Sequence, residues 1–226
     1  MIQNLQVEGQ KEVLYTSTAW NNGKERKLYG YEEKDPYDSK VMLSGDSGRR
    51  LFINGKGTAF LSDHKARIYI EVPSYNTMMQ LTYTHNETLE YLSLRMRRLR
   101  YGDRFEGYGL HIYRDRIEAI LQSNEDGKVN IGNQELEKEI PNDKIVTVRW
   151  WVRDVGNKIE VKSWIKYDEN GEFEDVFKEF SENYPDLARD KDEFHRYGIA
   201  WIRVNNNRTE HVEDVPIKDV YIIELE

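Results

Sequence analysis

Apolar and polar residues alternate with period two along most of the chain, and that alternation predicts strands. Ala66 to Val72 (ARIYIEV) is the cleanest case. Ala66, Ile68, Ile70 and Val72 point one way, and Arg67, Tyr69 and Glu71 point the other. Ile145 to Arg153 (IVTVRWWVR) sets Val146, Val148, Trp150 and Val152 against Thr147, Arg149, Trp151 and Arg153. Lys158 to Tyr167 sets Ile159, Val161 and Ile165 against Glu160, Lys162, Trp164 and Lys166. Further strands are expected at Val13 to Trp20, Leu51 to Asn54, Met79 to Thr84, Tyr197 to Val204 and Val215 to Leu225. Asn21-Asn22-Gly23, Gly55-Lys56-Gly57, Asn124 to Gly127, Pro141 to Asp143, Asp154 to Asn157 and Asp168 to Gly171 supply the turns between them.

Two stretches break the rhythm. Lys24 to Arg50 holds Pro36 and six acidic residues without a lasting period, so a long loop is expected there, with a short strand near Val41. In Phe173 to Tyr184, Phe173, Val176, Phe177 and Phe180 fall at helical spacing, which predicts a short helix; a strand fits nearly as well in a meander. Strands about every ten residues, with no linker or repeat, predict one all-β domain over 1–226. Its expected form is a two-sheet antiparallel sandwich or jelly roll with at most one or two short helices.

The stretch with most chemistry is Tyr91 to Arg116. Leu92, Leu94 and Met96 face one side, and Tyr91, Ser93, Arg95 and Arg97 the other. After a turn, Leu110 and Ile112 alternate with His111 and Tyr113. This reads as an antiparallel hairpin with an apolar underside and an upper face of Arg, His and Tyr. It carries seven Arg against Asp103, Glu106 and Asp115, a basic island in a chain of net charge −8.

The acidic balance argues against general affinity for nucleic acid or anionic membranes. An aromatic and basic sheet face also suits single-stranded nucleic acid, but the acidic remainder disfavours it. There is no cysteine, which removes disulfides, thiolate metal sites and a Cys nucleophile. No run of eighteen apolar residues is present, so no transmembrane helix is expected. The chain opens MIQNLQVEGQKEV without a leader pattern; a secreted or cell-surface setting is nevertheless the expectation. With 15 Tyr and 5 Trp, the composition is that of folded sheets rather than disorder.

The alternating strands from Ala66 to Tyr167 and the closing VPIKDVYIIELE resemble the concanavalin A-like lectin/glucanase superfamily. The resemblance implies two stacked curved sheets with a sugar groove on the concave one. The Glu-x-Asp-x-Glu strand of its retaining glucanases is missing. GLHIYR and LRMRRLR are similar to strands of the alginate-lyase-like jelly rolls, and KSWIKYDENG echoes a third. Gly109 stands where those lyases carry Gln, and the Arg-rich strand lacks their Glu. The implied chemistry is β-elimination from a uronate. Arg95, with Arg97, would neutralise the carboxylate, His111 would take the proton, and Tyr113 would protonate the leaving oxygen.

Contacts to the sugar are expected from Tyr69, Arg97, Arg149, Trp151, Lys162, Trp164 and Lys166, because indole faces stack on pyranose rings and basic groups take carboxylate or sulfate. Each has a plainer reading. Outward Arg is commonly solvated or ion-paired, a lone His is commonly structural, and the two Trp can lie under a loop or in a subunit contact. No metal or cofactor is required. A structural Ca²⁺ drawing on Asp35, Asp38, Asp46 and Asp63 is conceivable, although no loop has recognisable ligand spacing. The expected partner is a poly- or oligosaccharide, with oligomeric state open. The alternatives to a lyase are a non-catalytic lectin-like module and an assembly protein using its aromatic face as an interface.

Overall fold

The computed structural model describes residues 7, 9–29, 32–44, 50–62, 66–73, 75–101, 104–123, 127–156, 158–181, 199–205 and 214–226. Its first strands are β1 (Gln10–Thr16), β2 (Arg26–Leu28), β3 (Glu33–Asp35), β4 (Asp38–Ser44), β5 (Arg50–Ile53), β6 (Ala59–Ser62), β7 (Arg67–Glu71) and β8 (Thr77–Thr84). The Arg-rich hairpin is β9 (Tyr91–Tyr101) and β10 (Arg104–Tyr113). Then come β11 (Arg116–Ser123), β12 (Gly127–Glu135), β13 (Ile145–Val155), β14 (Lys158–Lys166), β15 (Glu174–Ser181), β16 (Ile199–Asn205) and β17 (Val215–Leu225). A single 3-10 turn, Ser17–Trp20, is the helical element among the described residues.

These strands form two antiparallel sheets, the expected all-β sandwich. One runs β15-β14-β13-β8-β17-β6-β5-β2, with β1 added along β17. The other runs β12-β11-β10-β9-β16-β7-β4-β3. The inward residues of both meet in one large core. From the eight-stranded sheet come Val41, Ile68, Ile70, Leu92, Leu94, Leu110, Ile112, Ile202 and Val204. From the nine-stranded sheet come Leu81, Val146, Val148, Trp150, Val161, Ile165, Val220 and Ile222. Alternation makes this possible, since each strand has one side to bury and one to expose.

The structure corrects three expectations. The strand expected over Val13 to Trp20 starts earlier, at Gln10, and ends at Thr16, with Ser17–Trp20 in the 3-10 turn. Lys24 to Arg50 is not a plain loop: besides β4 around Val41 it holds β2 and β3. These short strands sit in different sheets and are tied by a buried ion pair, with Arg26 Nε 2.9 Å from Asp35 Oδ1. The Phe173 to Tyr184 segment is strand β15 up to Ser181, and residues 182–184 lie outside the described set. Edge pairing with β14 prevails over its helical spacing, and Phe177 enters the core. Asp46 and Asp63 also fall outside the described residues.

Candidate functional site

The alternation that sends Leu94 and Ile112 inward sends Arg95 and His111 to the outer face of the eight-stranded sheet. Strand register then fixes their neighbours. One row across that face reads Met42, Tyr69, Trp201, Arg95, Gly109, Ile120 and Asn130. The next reads Ser44, Arg67, Arg203, Ser93, His111, Glu118 and Asn133. A third places Asn205, Tyr91 and Tyr113 side by side. Arg95, His111, Tyr113 and Tyr69, all expected site residues, therefore share one face.

Their contacts define what this face can do. Trp201 lies beneath the guanidinium carbons of Arg67 and Arg95, 5.4 and 5.6 Å from its ring centre, and beside Tyr69 at 6.4 Å. Tyr91 packs between His111 (4.6 Å between ring centres) and Tyr113 (4.9 Å). Arg116 lies over the Tyr113 ring at 3.7 Å. Glu118 accepts from Tyr113 Oη at 3.3 Å and from Arg116 Nε at 3.0 Å. Tyr91, Tyr113, Arg67 and Arg203 are part-exposed, while His111 is 3% and Trp201 2% exposed. The rim is accessible and the centre is packed.

His111 is poorly suited to act as a base. Its Nε2 is 3.4 Å from Arg95 Nη2. A guanidinium only donates, so Nε2 accepts and the proton sits on Nδ1. Burial first, and then the charges of Arg95, Lys128 and Arg203, hold its pKa down to about 2. A group so reluctant to take a proton is a poor base for abstracting one from a sugar carbon at neutral pH. Burial, followed by the nearby Glu118, pushes Tyr113 up to about 12.

The rest of the expected set lies elsewhere. Arg149, Trp151, Lys162, Trp164 and Lys166 are on β13 and β14, on the outer face of the nine-stranded sheet. The sandwich core separates them from His111, so the expected single cleft is two faces. Trp151 is 6% exposed and belongs to a small apolar cluster with Met78, Ile223 and Leu225, with Val7 and Trp164 packed against it. The two indoles meet edge to face at 4.7 Å. Trp151 is thus covered, as its plainer reading allowed.

Arg97 is on neither face. It adopts φ +50° where the β9–β10 register shifts, and its side chain is fully buried. Nε donates to the Tyr75 carbonyl, Nη1 is 3.0 Å from Asp154 Oδ1, and Nη2 is 2.8 Å from Asn76 Oδ1. This guanidinium holds the fold together and is closed to a ligand. Of the four Asp weighed for a structural Ca²⁺, Asp35 is taken by Arg26, and Asp38 accepts from Tyr15 Oη at 2.9 Å. Among the described residues no group of three His, Cys, Asp or Glu is placed to hold a metal.

Sequence reading did not select Arg67, Tyr91, Glu118, Trp201 or Arg203 for the site. The same period-two signal carries them. Trp201 and Arg203 alternate with Ala200, Ile202 and Val204, and Glu118 with Ile117 and Ala119.

No family model matches the chain, and no curated protein matches it in sequence. Solved structures do match. Winged bean acidic lectin complexed with methyl-α-D-galactose superposes with a TM-score of 0.57 at 9% identity, over 90% of this chain and 100% of the lectin. The exoplasmic/lumenal domain of VIP36, in its Ca²⁺/Man3GlcNAc-bound form, gives 0.54 at 11% identity, over 85% of this chain and 87% of that one. The CBM2 module of the evolved Dit of Lactobacillus casei BL23 phage J-1 gives 0.50 at 13% identity, over 96% and 98%. At such identities what is shared is the architecture: the chain is a two-sheet antiparallel sandwich that resembles those of these lectins.

Proposed function

We propose that this protein is a lectin-like carbohydrate-binding module that takes an anionic glycan on the outer face of its eight-stranded sheet. The part-exposed edges of the Tyr91 and Tyr113 rings give a pyranose an aromatic rim to lie against, and the Arg67 and Arg203 guanidinium groups lie one row away. The observation that carries the preference for anions is the gathering of Arg67, Arg95 and Arg203 around Trp201 and His111 on one face. Burial is the first cause of the lowered His111 pKa, and Arg95, Lys128 and Arg203 each lower it further, so three cations gather around this one imidazole in a chain that is acidic overall. Ser93 Oγ and Arg67 Nε in the same row are buried without a hydrogen-bond partner among the described residues. They are hydrogen-bonding capacity that a bound hydroxyl or carboxylate can take after small side-chain shifts. The sugar-bound forms of winged bean lectin and VIP36 support a carbohydrate as the class of ligand.

The test is calorimetric titration with uronate and matched neutral oligosaccharides. Arg67→Gln with Arg203→Gln is expected to weaken the uronate at least about tenfold, and the neutral sugar by less. Equal loss on both sugars overturns the anionic preference, and no binding of any sugar overturns the module itself. Ultraviolet absorbance of an unsaturated product, followed in the same samples, is expected to stay flat. A rise would return the reading to a lyase.

A further inference from the structure

The nine-stranded sheet has a cation that no carboxylate among the described residues neutralises. Arg149 lies on β13 between Gln80 of β8 and Trp164 of β14. Its Nε and Nη2 both donate to Gln80 Oε1, at 3.1 and 2.8 Å. Its guanidinium carbon sits 4.0 Å from the Phe173 ring centre. Half-buried on this seat, it has a neutral amide as its hydrogen-bond partner.

Its neighbours differ. Arg153 and Lys178 both reach Glu160, and Lys162 is 3.4 Å from Asp175. Arg149 is paired with no carboxylate among the described residues, and burial alone lowers its pKa to about 10. Lys166 hangs over the same Phe173 ring at 5.7 Å and donates to the Glu169 carbonyl, again a neutral partner. Partial burial of an uncompensated cation is costly unless a counter-charge arrives. The two N–H groups bonded to Gln80 leave the Nη1–Nη2 edge of the guanidinium without a partner among the described residues. That edge matches the two oxygens of a carboxylate or sulfate.

We propose that Arg149, with Lys166 and the part-exposed Trp164, forms a second site for the carboxylate or sulfate of an acidic sugar, on the face opposite the first. This rests on the proposed function only in taking the guest to be a sugar. Because the two faces point away from each other, both sites can be filled at once, and one chain can hold two glycan segments.

The first experiment follows the arginine Nε–H resonances of the wild-type protein by nuclear magnetic resonance. The Arg149 signal is assigned by its loss in Arg149→Gln. Glucuronate, sulfate and glucose are added in separate arms. A saturable shift of the Arg149 signal with glucuronate but not sulfate assigns a carboxylated guest, and the converse assigns a sulfated one. No shift with either anion, or an equal shift with glucose, overturns the site whatever happens on the other face. The second experiment is titration with an acidic oligosaccharide. The wild type is expected to bind two equivalents and Arg149→Gln one, with the first face unchanged. Unaltered stoichiometry and affinity in a folded Arg149→Gln protein overturn the proposal. If that variant does not fold, Arg149→Lys, which keeps the charge and has no guanidinium, supplies the assignment and the wild-type resonance shift decides.

Discussion

The Arg95 side chain lies flat across Gly109. A Cβ built on Gly109 would stand 2.6 Å from Arg95 Nη1 and 2.7 Å from its Cδ and Cζ. No real side chain tolerates that approach, so the absence of a side chain on β10 is what lets the guanidinium settle between Trp201 and His111. The Gln that the lyase resemblance would put at this position could not coexist with Arg95 as it lies. Gly109→Ala is therefore expected to expel Arg95 and to destabilise the protein by about 1–3 kcal/mol, as overpacked sites do. The checks are denaturant unfolding and uronate titration. An unchanged midpoint together with unchanged affinity would show that Arg95 moves aside freely.

Acid should loosen the fold through its buried imidazoles. Burial and Arg114 hold His85 down to about 4, and His111 lies lower still at about 2. Both gain protons near pH 6.5 when the chain unfolds, so below that point the unfolded state binds more protons. Stability is then complete above about pH 6.5 and falls as pH drops. The His85 share stops growing near pH 4, whereas the His111 share continues toward pH 2. Each contributes a slope approaching about 1.4 kcal/mol per pH unit within its window. His111→Gln is expected to remove one such slope between pH 6 and pH 4.5 in urea unfolding. An identical slope would mean that His111 is protonated in the folded state.

Arg97 should behave as part of the scaffold. It joins the Tyr75–Asn76 turn to Asp154 at the end of β13, and Asn76 Oδ1 also accepts from the Asp154 amide at 2.9 Å. Arg97→Gln removes the buried ion pair with Asp154 and is expected to cost about 3 kcal/mol. Glycan affinity in the folded fraction should stay as it was. Loss of affinity without loss of stability would place Arg97 in the binding site.

The two tryptophans of the nine-stranded sheet should separate in the same kind of measurement. Trp151 fills the small cluster with Met78, Ile223 and Leu225, so Trp151→Ala is expected to cost about 3 kcal/mol. Trp164 is part-exposed, so Trp164→Ala should cost roughly 1 kcal/mol and weaken acidic-sugar binding. Equal stability losses would put both indoles in the same packed layer.

How far these arrangements could be read in advance follows from what alternation encodes. Period two tells which side of its own strand a residue takes, and it placed Leu92, Leu94, Val148 and Trp150 in the core and Arg95, His111 and Arg149 outside it. It says nothing about which sheet a strand joins. The β9 and β13 strands both carry outward cations, yet β9 pairs with β10 and β16 while β13 pairs with β8 and β14. Pairings of that kind are settled by contacts distant in sequence, which is why one expected cleft became two faces. Arg97 escaped the pattern for a local reason: a register shift with positive φ turned its side chain into the network at Asn76 and Asp154.

Strand β17 bonds to β8 along Ile217–Glu224, to β6 at Val215–Ile217, and to β1 through Tyr221–Leu225. Three segments from the first 84 residues thus find their partner in one stretch near position 220. Until that stretch docks, β8 presents a bare ladder of amides and carbonyls beside Met79 and Leu81. Folding should accordingly be slow and governed by a single late closure, and the interval before it is when the chain is most exposed to sticking to its own copies.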